Sequence, residues 1–440
     1  MLGITLAVLD NTIFNLAIPT MARDLDVSGP SAIWILNSFQ LTVLVALLPL
    51  ASLGERAGYK SLYLTGTATF AAASAVAARA ESFEVLLTAR VFQGLGAAGL
   101  MAINMALVRL TYPPRLLGRG LALNAMVVGM ASVSGPMLAA LALSSASWRL
   151  IFLINLPLCG LLLIIGWYAL PETPKPSEKR TISLIDVLLN SCFFVLLFLG
   201  ADMFRAALSG KGSLAIGIAL LISCALVGTV HIRRQNLQAR PLLPLDLFRI
   251  PIFRLSMFAA CGAFAAQTIA FLALPFLLLE SWHQSPSQAG IVMSSWPAAA
   301  IFAAILAGRL INRCQDGWLG CAGLCLLASG LGVLAHGASH GPTSPFTWAL
   351  AVCGLGFGLF HSPNNHAVIT STPIHRVGAA GAVLGTARLT GQTAGATLLA
   401  LVFAIVGDTG SRAIASALTV AAVIALLAAI TSVLRINKLI

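Results

Sequence analysis

The sequence predicts an all-α integral membrane fold of about fourteen transmembrane helices, arranged as two six-helix bundles with an inserted helix pair. Three observations predict it. Of 440 residues, 58% are apolar and only 9% are charged, against roughly 25% charged in a soluble globular domain. Apolar blocks of about twenty residues, the length that crosses a hydrocarbon core of about 30 Å, follow one another along the whole chain. Two linkers are far more polar than the other connections, Pro171 to Ser183 and His231 to Pro251, and they bracket two of the blocks.

In chain order the predicted spans lie near 1–22, 31–52, 61–80, 84–112, 119–145 and 148–170, then 184–204 and 213–231, then 251–280, 286–312, 317–340, 346–372, 378–406 and 413–435. This divides the chain into an N-terminal six-helix bundle (1–170), cytoplasmic linkers with the inserted pair (171–250) and a C-terminal six-helix bundle (251–440). The first span lacks the basic leader and small-residue cleavage site of a signal peptide and carries an acid at its middle, so it reads as retained. It begins abruptly at Met1, which leaves room for a short cytoplasmic leader. With the N-terminus inside, inner loops hold a roughly threefold excess of Lys and Arg, which puts both termini in the cytoplasm.

A net charge of +12 does not point to nucleic acid, because the basic residues are dispersed between apolar blocks instead of forming one water-facing patch. The eight cysteines sit almost entirely inside apolar blocks, with no paired C-x-x-C and no neighbouring histidine set, so neither disulfides nor zinc is indicated. Cys321 and Cys325 share a helix face and read as packing. No cofactor is expected, and no phosphate loop for ATP occurs. A membrane enzyme would need a nucleophile with its base, or His and carboxylates spaced for a metal, and neither set is present.

The residues that stand out are polar groups in apolar blocks. Asp10 is the one carboxylate clearly at mid-membrane depth; opening and closing a water-filled cavity around it could switch its proton occupancy. The alternative is a structural, hydrogen-bonded Asp. Between the second and third spans, Gly54, Glu55, Arg56, Gly58 and Lys60 join turn glycines to an acid and two bases, a pattern suited to a breakable ion-pair latch. In the fourth span Arg90 places a guanidinium in hydrocarbon, where such groups usually have a partner, although snorkelling to the near face is the competing reading. Gly94, Gly96 and Gly99 spell G-x-G-x-x-G, but no strand precedes them, so close helix packing outweighs dinucleotide binding.

In the fifth span Gly129, Gly135 and Pro136 make a bendable, closely packed seam, or a merely tolerated kink. The polar residues Asn37, Gln40, Asn104, Asn364, Asn365, Arg388 and Gln392 either line a substrate cavity or bond one helix to another. Asp186, Asp202 and Glu280 lie near span ends and read as solvated. The histidines at 361, 366 and 375 read as polar lining.

Taken together, LDNTIFNLAIP in the first span, LGERAGYK after the second, RVFQGLGAAG in the fourth, Gly135-Pro136 in the fifth, Trp148-Arg149 with FLINLP, and SPNNHA followed by GTARLTGQTAG resemble the major facilitator superfamily, in particular its fourteen-span drug:proton antiporters of the EmrB/QacA type. The resemblance covers essentially the whole chain. It implies a proton-coupled secondary transporter, not an enzyme, that exports small organic compounds from the bacterial cytoplasmic (inner) membrane by alternating access. Asp10 would be the proton-linked acid with Arg90 as its basic counterpart. Glu55, Arg56 and Lys60 would form the latch, and Gly135 with Pro136 the antiporter hinge.

The sequence departs from that pattern where Glu55 replaces the usual Asp, Ala51 a Gly, Tyr59 a base, and Ala139 and Ala140 a glycine pair. Gly308, Arg309, Leu310 and Arg313 look like a degenerate second latch, as a duplication would leave. The expected partners are a small-molecule substrate, protons and lipid. Metabolite export, nutrient symport and a non-transporting sensor stay open as alternatives, as do the oligomeric state and a periplasmic adaptor.

Overall fold

The computed structural model describes residues 2–111, 127, 130–131, 134–135, 137–144, 147–170, 183–208, 212–237, 245–311, 313–338, 344–373, 377–407 and 409–435. Among them there is no strand. The helices are α1 (Leu2–Asp24), α2 (Trp34–Ala57), α3 (Tyr59–Ala77), α4 (Phe83–Thr111), a stretch of the fifth span at 137–144 (α5), α6 (Arg149–Ala169), α7 (Leu184–Leu208) and α8 (Leu214–Asn236). After them come α9 (Pro251–Pro275), which continues as a π-helical turn, α10 (Pro286–Leu310), α11 (Asp316–Gly337), α12 (Ser344–Thr370), α13 (Val377–Val406) and α14 (Ser411–Leu434).

Eleven of the described helices are long and apolar enough to cross a membrane, or twelve if the bent α1 is one span. This falls short of the fourteen expected from the sequence. The helix α3 is outside that set because Lys60 and the hydroxyls of Ser61, Thr65, Thr67, Thr69 and Ser74 dilute its apolar content, and α5 is described only in part. A second correction concerns the stretch Leu53 to Lys60, expected as a loop. Nothing breaks the helix until Gly58, whose φ of 92° lies where L side chains are disfavoured, so α2 runs through Ala57 and α3 starts at the next residue. The link is one glycine.

The chain forms two compact units: Met1–Phe204 with Ser213–Leu242, and Arg205–Gly212 with Leu243–Ile440. In the first, α4 packs on α2 and α3, α6 packs on α3, and α1 touches both α4 and α6. The helix α1 bends by 60° between Phe14 and Leu16. Pro19 explains the place: its ring removes the hydrogen bond to residue 15 and crowds that carbonyl. The pair α7 and α8 belongs mostly to this unit. Gly217 lets the backbone of Phe204 approach, Cys224 donates to the Phe193 carbonyl, and Asn190 donates to Val45 O of α2 at 3.3 Å. The outer face of α8, with Ile216, Ile222, Leu226 and Val230 exposed, is a lipid face.

In the second unit, α12 packs on α10 and α11, α11 on α14, and α9 on α13 and α14. The two units share a packing device. A Cβ on Gly94 of α4 would come within 2.6 Å of the Phe39 carbonyl oxygen of α2, and one on Gly96 would meet Gly66 and Phe70 of α3 at 2.6–2.9 Å. In α12, a Cβ on Gly354 would come within 2.9 Å of the Trp296 carbonyl carbon of α10, and one on Gly356 would run into Gly323 and Leu327 of α11. The spacing G-x-G thus recurs with the same facing helices, as the products of an internal repeat would show.

Candidate functional site

The polar residues of the first unit meet at Asp10, on α1. Asp10 and Arg90 are both 0% exposed and pair at 2.7 Å between Oδ2 and Nη1. Arg90 Nη1 also donates to Gln93 Oε1 at 3.0 Å, and Nε donates to Ile35 O at 3.0 Å. Its guanidinium lies 4.1 Å from the Phe14 ring centre and 4.3 Å from that of Phe39. On the other side Asn155 of α6 donates to Asp10 Oδ1 at 2.7 Å. Gln93 passes the network on to Ser74 Oγ (2.8 Å), which donates to Phe70 O in α3. Five helices, α1, α2, α3, α4 and α6, are therefore joined by one buried chain of hydrogen bonds centred on a carboxylate.

The local sequence explains the assembly. Arg90 and Gln93 stand three residues apart on one face of α4. The glycines that follow, Gly94, Gly96 and Gly99, bring α2 and α3 within reach of that face. Two hydrogen-bonding atoms are left over: Arg90 Nη2 and Asn155 Oδ1 have no partner among the described residues. A buried ion pair is strongly held only while both partners are charged, so adding a proton to Asp10 would remove the Coulombic part and strand the guanidinium.

A seam supports this centre. A Cβ on Gly135, in the fifth span, would lie 2.6 Å from Thr12 Cβ and 3.1 Å from its carbonyl carbon, closer still to Oγ1. Only glycine lets the fifth span approach α1 there, two residues from Asp10. Gly129 and Pro136 lie outside the described residues, as does His375. Of the latch residues, Gly54 is buried where a Cβ would meet Ile103, Leu62 and Tyr59 at 2.9–3.2 Å, and Lys60 Nζ sits 5.9 Å from the Trp167 ring centre of α6. The side chains of Glu55 and Arg56 are outside the described set.

Asn37, Gln40 and Asn104 are buried in this unit. At the far end of α1, Asp24 accepts from Trp148 Nε1 at 2.8 Å and Arg149 Nη1 at 2.9 Å, and Arg149 also donates to Ala80 O at 3.0 Å. This explains the Trp148-Arg149 pair as a staple between α1, α3 and α6.

The candidate residues of the second unit separate into two groups. Asn364 Oδ1 accepts from Arg435 Nη1 at 2.8 Å, and Arg435 also donates to Ser256 Oγ at 3.0 Å and to Ser432 Oγ. Arg435 is only 2% exposed and ties α9, α12 and α14 together. At the same end His366 Nδ1 lies 2.8 Å from Asp316 Oδ2. Arg388, Asn365 and His361 form the other group: Asn365 Nδ2 donates to His361 Nε2 at 3.1 Å, and Arg388 stands 5.2 Å from the Phe264 ring centre. Gln392 is buried one turn further along α13.

Sequence reasoning missed Asn155, Gln93 and Arg435. Asn155 is a lone amide in the apolar run FLINLP, and Gln93 follows Arg90 at helical spacing, so both were visible as polar residues in hydrocarbon. Arg435 read as a tail charge because it ends the last apolar run. Among the described residues no group of three or more His, Cys, Asp or Glu could hold a metal ion.

The description of the Major Facilitator Superfamily matches residues 1–245 and 256–438. The chain belongs to that superfamily. It is a multi-pass integral membrane protein of a family of transporters, not enzymes. It is 41% identical to the uncharacterised transporter YebQ of Escherichia coli (strain K12), over 99% of this chain and 94% of that one. It is 26% identical to the riboflavin transporter RibZ of Clostridioides difficile (strain 630), over 88% and 83% of the two chains. To the tetracenomycin C resistance and export protein of Streptomyces glaucescens it is 27% identical, over 92% and 75%. A crystal structure of a bacterial homologue of the human lysosomal transporter Spinster superposes with a TM-score of 0.70 at 16% identity, over 99% of this chain and 95% of that one. That likeness concerns the fold.

Proposed function

We propose that this superfamily member is a proton-coupled exporter of small organic compounds, of the fourteen-span drug:proton antiporter type, in the bacterial inner membrane with both termini in the cytoplasm. In this reading the two six-helix bundles are residues 1–170 and 251–440, α7 and α8 are the inserted pair, and α3 and the fifth span complete the fourteen.

The observation that carries the reading is the buried Asp10–Arg90 pair at 2.7 Å. Protonation of Asp10 removes the charge that holds Arg90 and changes what Asn155 can donate to, so proton occupancy sets the packing of α1 against α4 and α6. The Gly135–Thr12 contact couples the fifth span to the same point. A substrate that favours one packing and a proton that favours the other are then exchanged. Gly58 supplies the flexible link for a latch of Glu55, Arg56 and Lys60. Export of drug-like compounds draws support from relatives named for multidrug resistance and efflux. RibZ favours a second reading, transport of a metabolite with a planar ring system.

The test is proton movement in liposomes holding the purified protein, under an imposed pH gradient, on addition of lipophilic cations, neutral drugs and aromatic acids. Wild type is expected to move protons only when a substrate is present, and Asp10→Asn is expected to abolish this. Full proton-linked flux in the variant would remove Asp10 from the mechanism. No flux with any compound, from folded protein, would favour a non-transporting descendant.

A further inference from the structure

The second unit holds a guanidinium that no described residue of it neutralises. Arg388 forms no hydrogen bond or ion pair among the described residues, and its Nε is buried without an acceptor. The described acids of that unit lie elsewhere: Asp316 pairs with His366, Asp246 precedes α9, and Glu280 follows it. Around Arg388 the packing is aromatic. Phe264 lies 5.2 Å from the guanidinium carbon; Phe264 and Phe357 meet edge to face at 5.2 Å; and His361 stacks on Phe357 at 5.8 Å with 11° between the planes. Because Asn365 Nδ2 donates to His361 Nε2, the ring proton is on Nδ1, which makes His361 a second donor.

These residues share one depth. Gly391 packs on Cys261 and Gly395 on Ala265, so α9 and α13 run parallel from one end, and α12 finishes at that end. At 1.5 Å per residue, His361, Arg388 and Phe264 lie about 14, 17 and 20 Å along their helices from it, near the middle of a core of about 30 Å. Arg388 and His361 are half-buried, whereas Phe264 and Phe357 are buried. A half-buried guanidinium at that depth is costly against hydrocarbon unless a counter-charge or water meets it.

We infer that Arg388 and His361, set against Phe264 and Phe357, form a binding site for the acidic group of a planar aromatic anion such as an aromatic carboxylate. The anion supplies the counter-charge that the second unit lacks, and its ring takes the place of lipid or water beside the stacked rings. This rests on the transporter reading and names its substrate class.

The test is equilibrium binding by calorimetry to the full chain in nanodiscs, with one ring in three charge states: 2-naphthoate, 2-naphthol and 2-naphthylmethylammonium. Naphthoate is expected to bind at least about tenfold tighter than the cation, as a charge-assisted contact would produce. Arg388→Gln is expected to abolish that preference while changing naphthol binding less than about threefold, and Arg388→Lys, which keeps the charge but loses the planar stack, to retain part of it. Equal binding of all three, preference for the cation, or no binding of naphthoate overturns the inference. So does a preference that survives in Arg388→Gln. If that variant does not fold, the wild-type order decides alone. Proton flux through Asp10 with other compounds is a separate measurement, so the site can fail while the transporter reading stands.

Discussion

The two units use the same glycine contacts to pack their helices and differ in what they do with buried charge. In the first, Arg90 is fully enclosed and answered by Asp10, Gln93 and the Ile35 carbonyl, while Asn155 donates to Asp10. Where the repeat places Gly354 opposite Gly94, the position equivalent to Arg90 is the apolar Leu350. The second unit carries a mid-depth guanidinium on α13 instead, at Arg388, with aromatic neighbours and no acid among the described residues. One unit holds its charge against its own buried carboxylate. The other leaves a charge for something that arrives.

The sharpest way to break this contrast is to remove one member from each. Asp10→Ala strands a buried guanidinium and is expected to destabilise the protein by about 3–5 kcal/mol, as loss of one partner of a buried pair does. Arg388→Met removes a charge that has no partner and is expected to leave the melting temperature of ligand-free protein unchanged or raise it. Thermal unfolding in detergent reads both. Equal losses would mean that Arg388 has an internal partner and that the units do not differ as described.

The shared scaffold makes a smaller prediction. Gly94→Ala and Gly354→Ala each push a methyl group into a facing backbone, so both are expected to cost about 1–3 kcal/mol, measured in the same way. Tolerance in one unit alone would end the argument that the two are repeats of one packing unit. Least of all should be felt at the exposed pair Asp24–Arg149, 46% and 34% exposed, where Arg149→Ala is expected to change stability by less than about 1 kcal/mol. A larger loss there would show that the staple holds α1 in place for the buried centre.

Much of the candidate site was legible because charge in hydrocarbon is rare: Asp10, Arg90 and Arg388 stand out in apolar blocks wherever they fall in space. Their partners were harder to see. Asn155 and Gln93 are single amides whose significance depends on which helix faces them, and Arg435 looks like any terminal cation until Ser256 and Asn364 close around it. The described helices give eleven or twelve spans, short of fourteen, because α3 is apolar mainly through alanine and diluted by hydroxyls and because the fifth span is described only in part. The loop at 53–60 was misread because a single Gly58 suffices to turn the chain.

Composition and block length by themselves determined that this chain is an all-helical membrane protein, since about twenty apolar residues in succession can be satisfied in lipid only as helix. The isolated polar residues determined where function would be sought. Only the tertiary structure decided that Asp10 and Arg90, eighty positions apart, share one ion pair, that Asn364 serves Arg435, and that Arg388 has no counter-charge among the described residues. Each of these depends on which helix faces are brought together, and that is set by carbonyl-to-glycine contacts between distant segments, which no local pattern encodes.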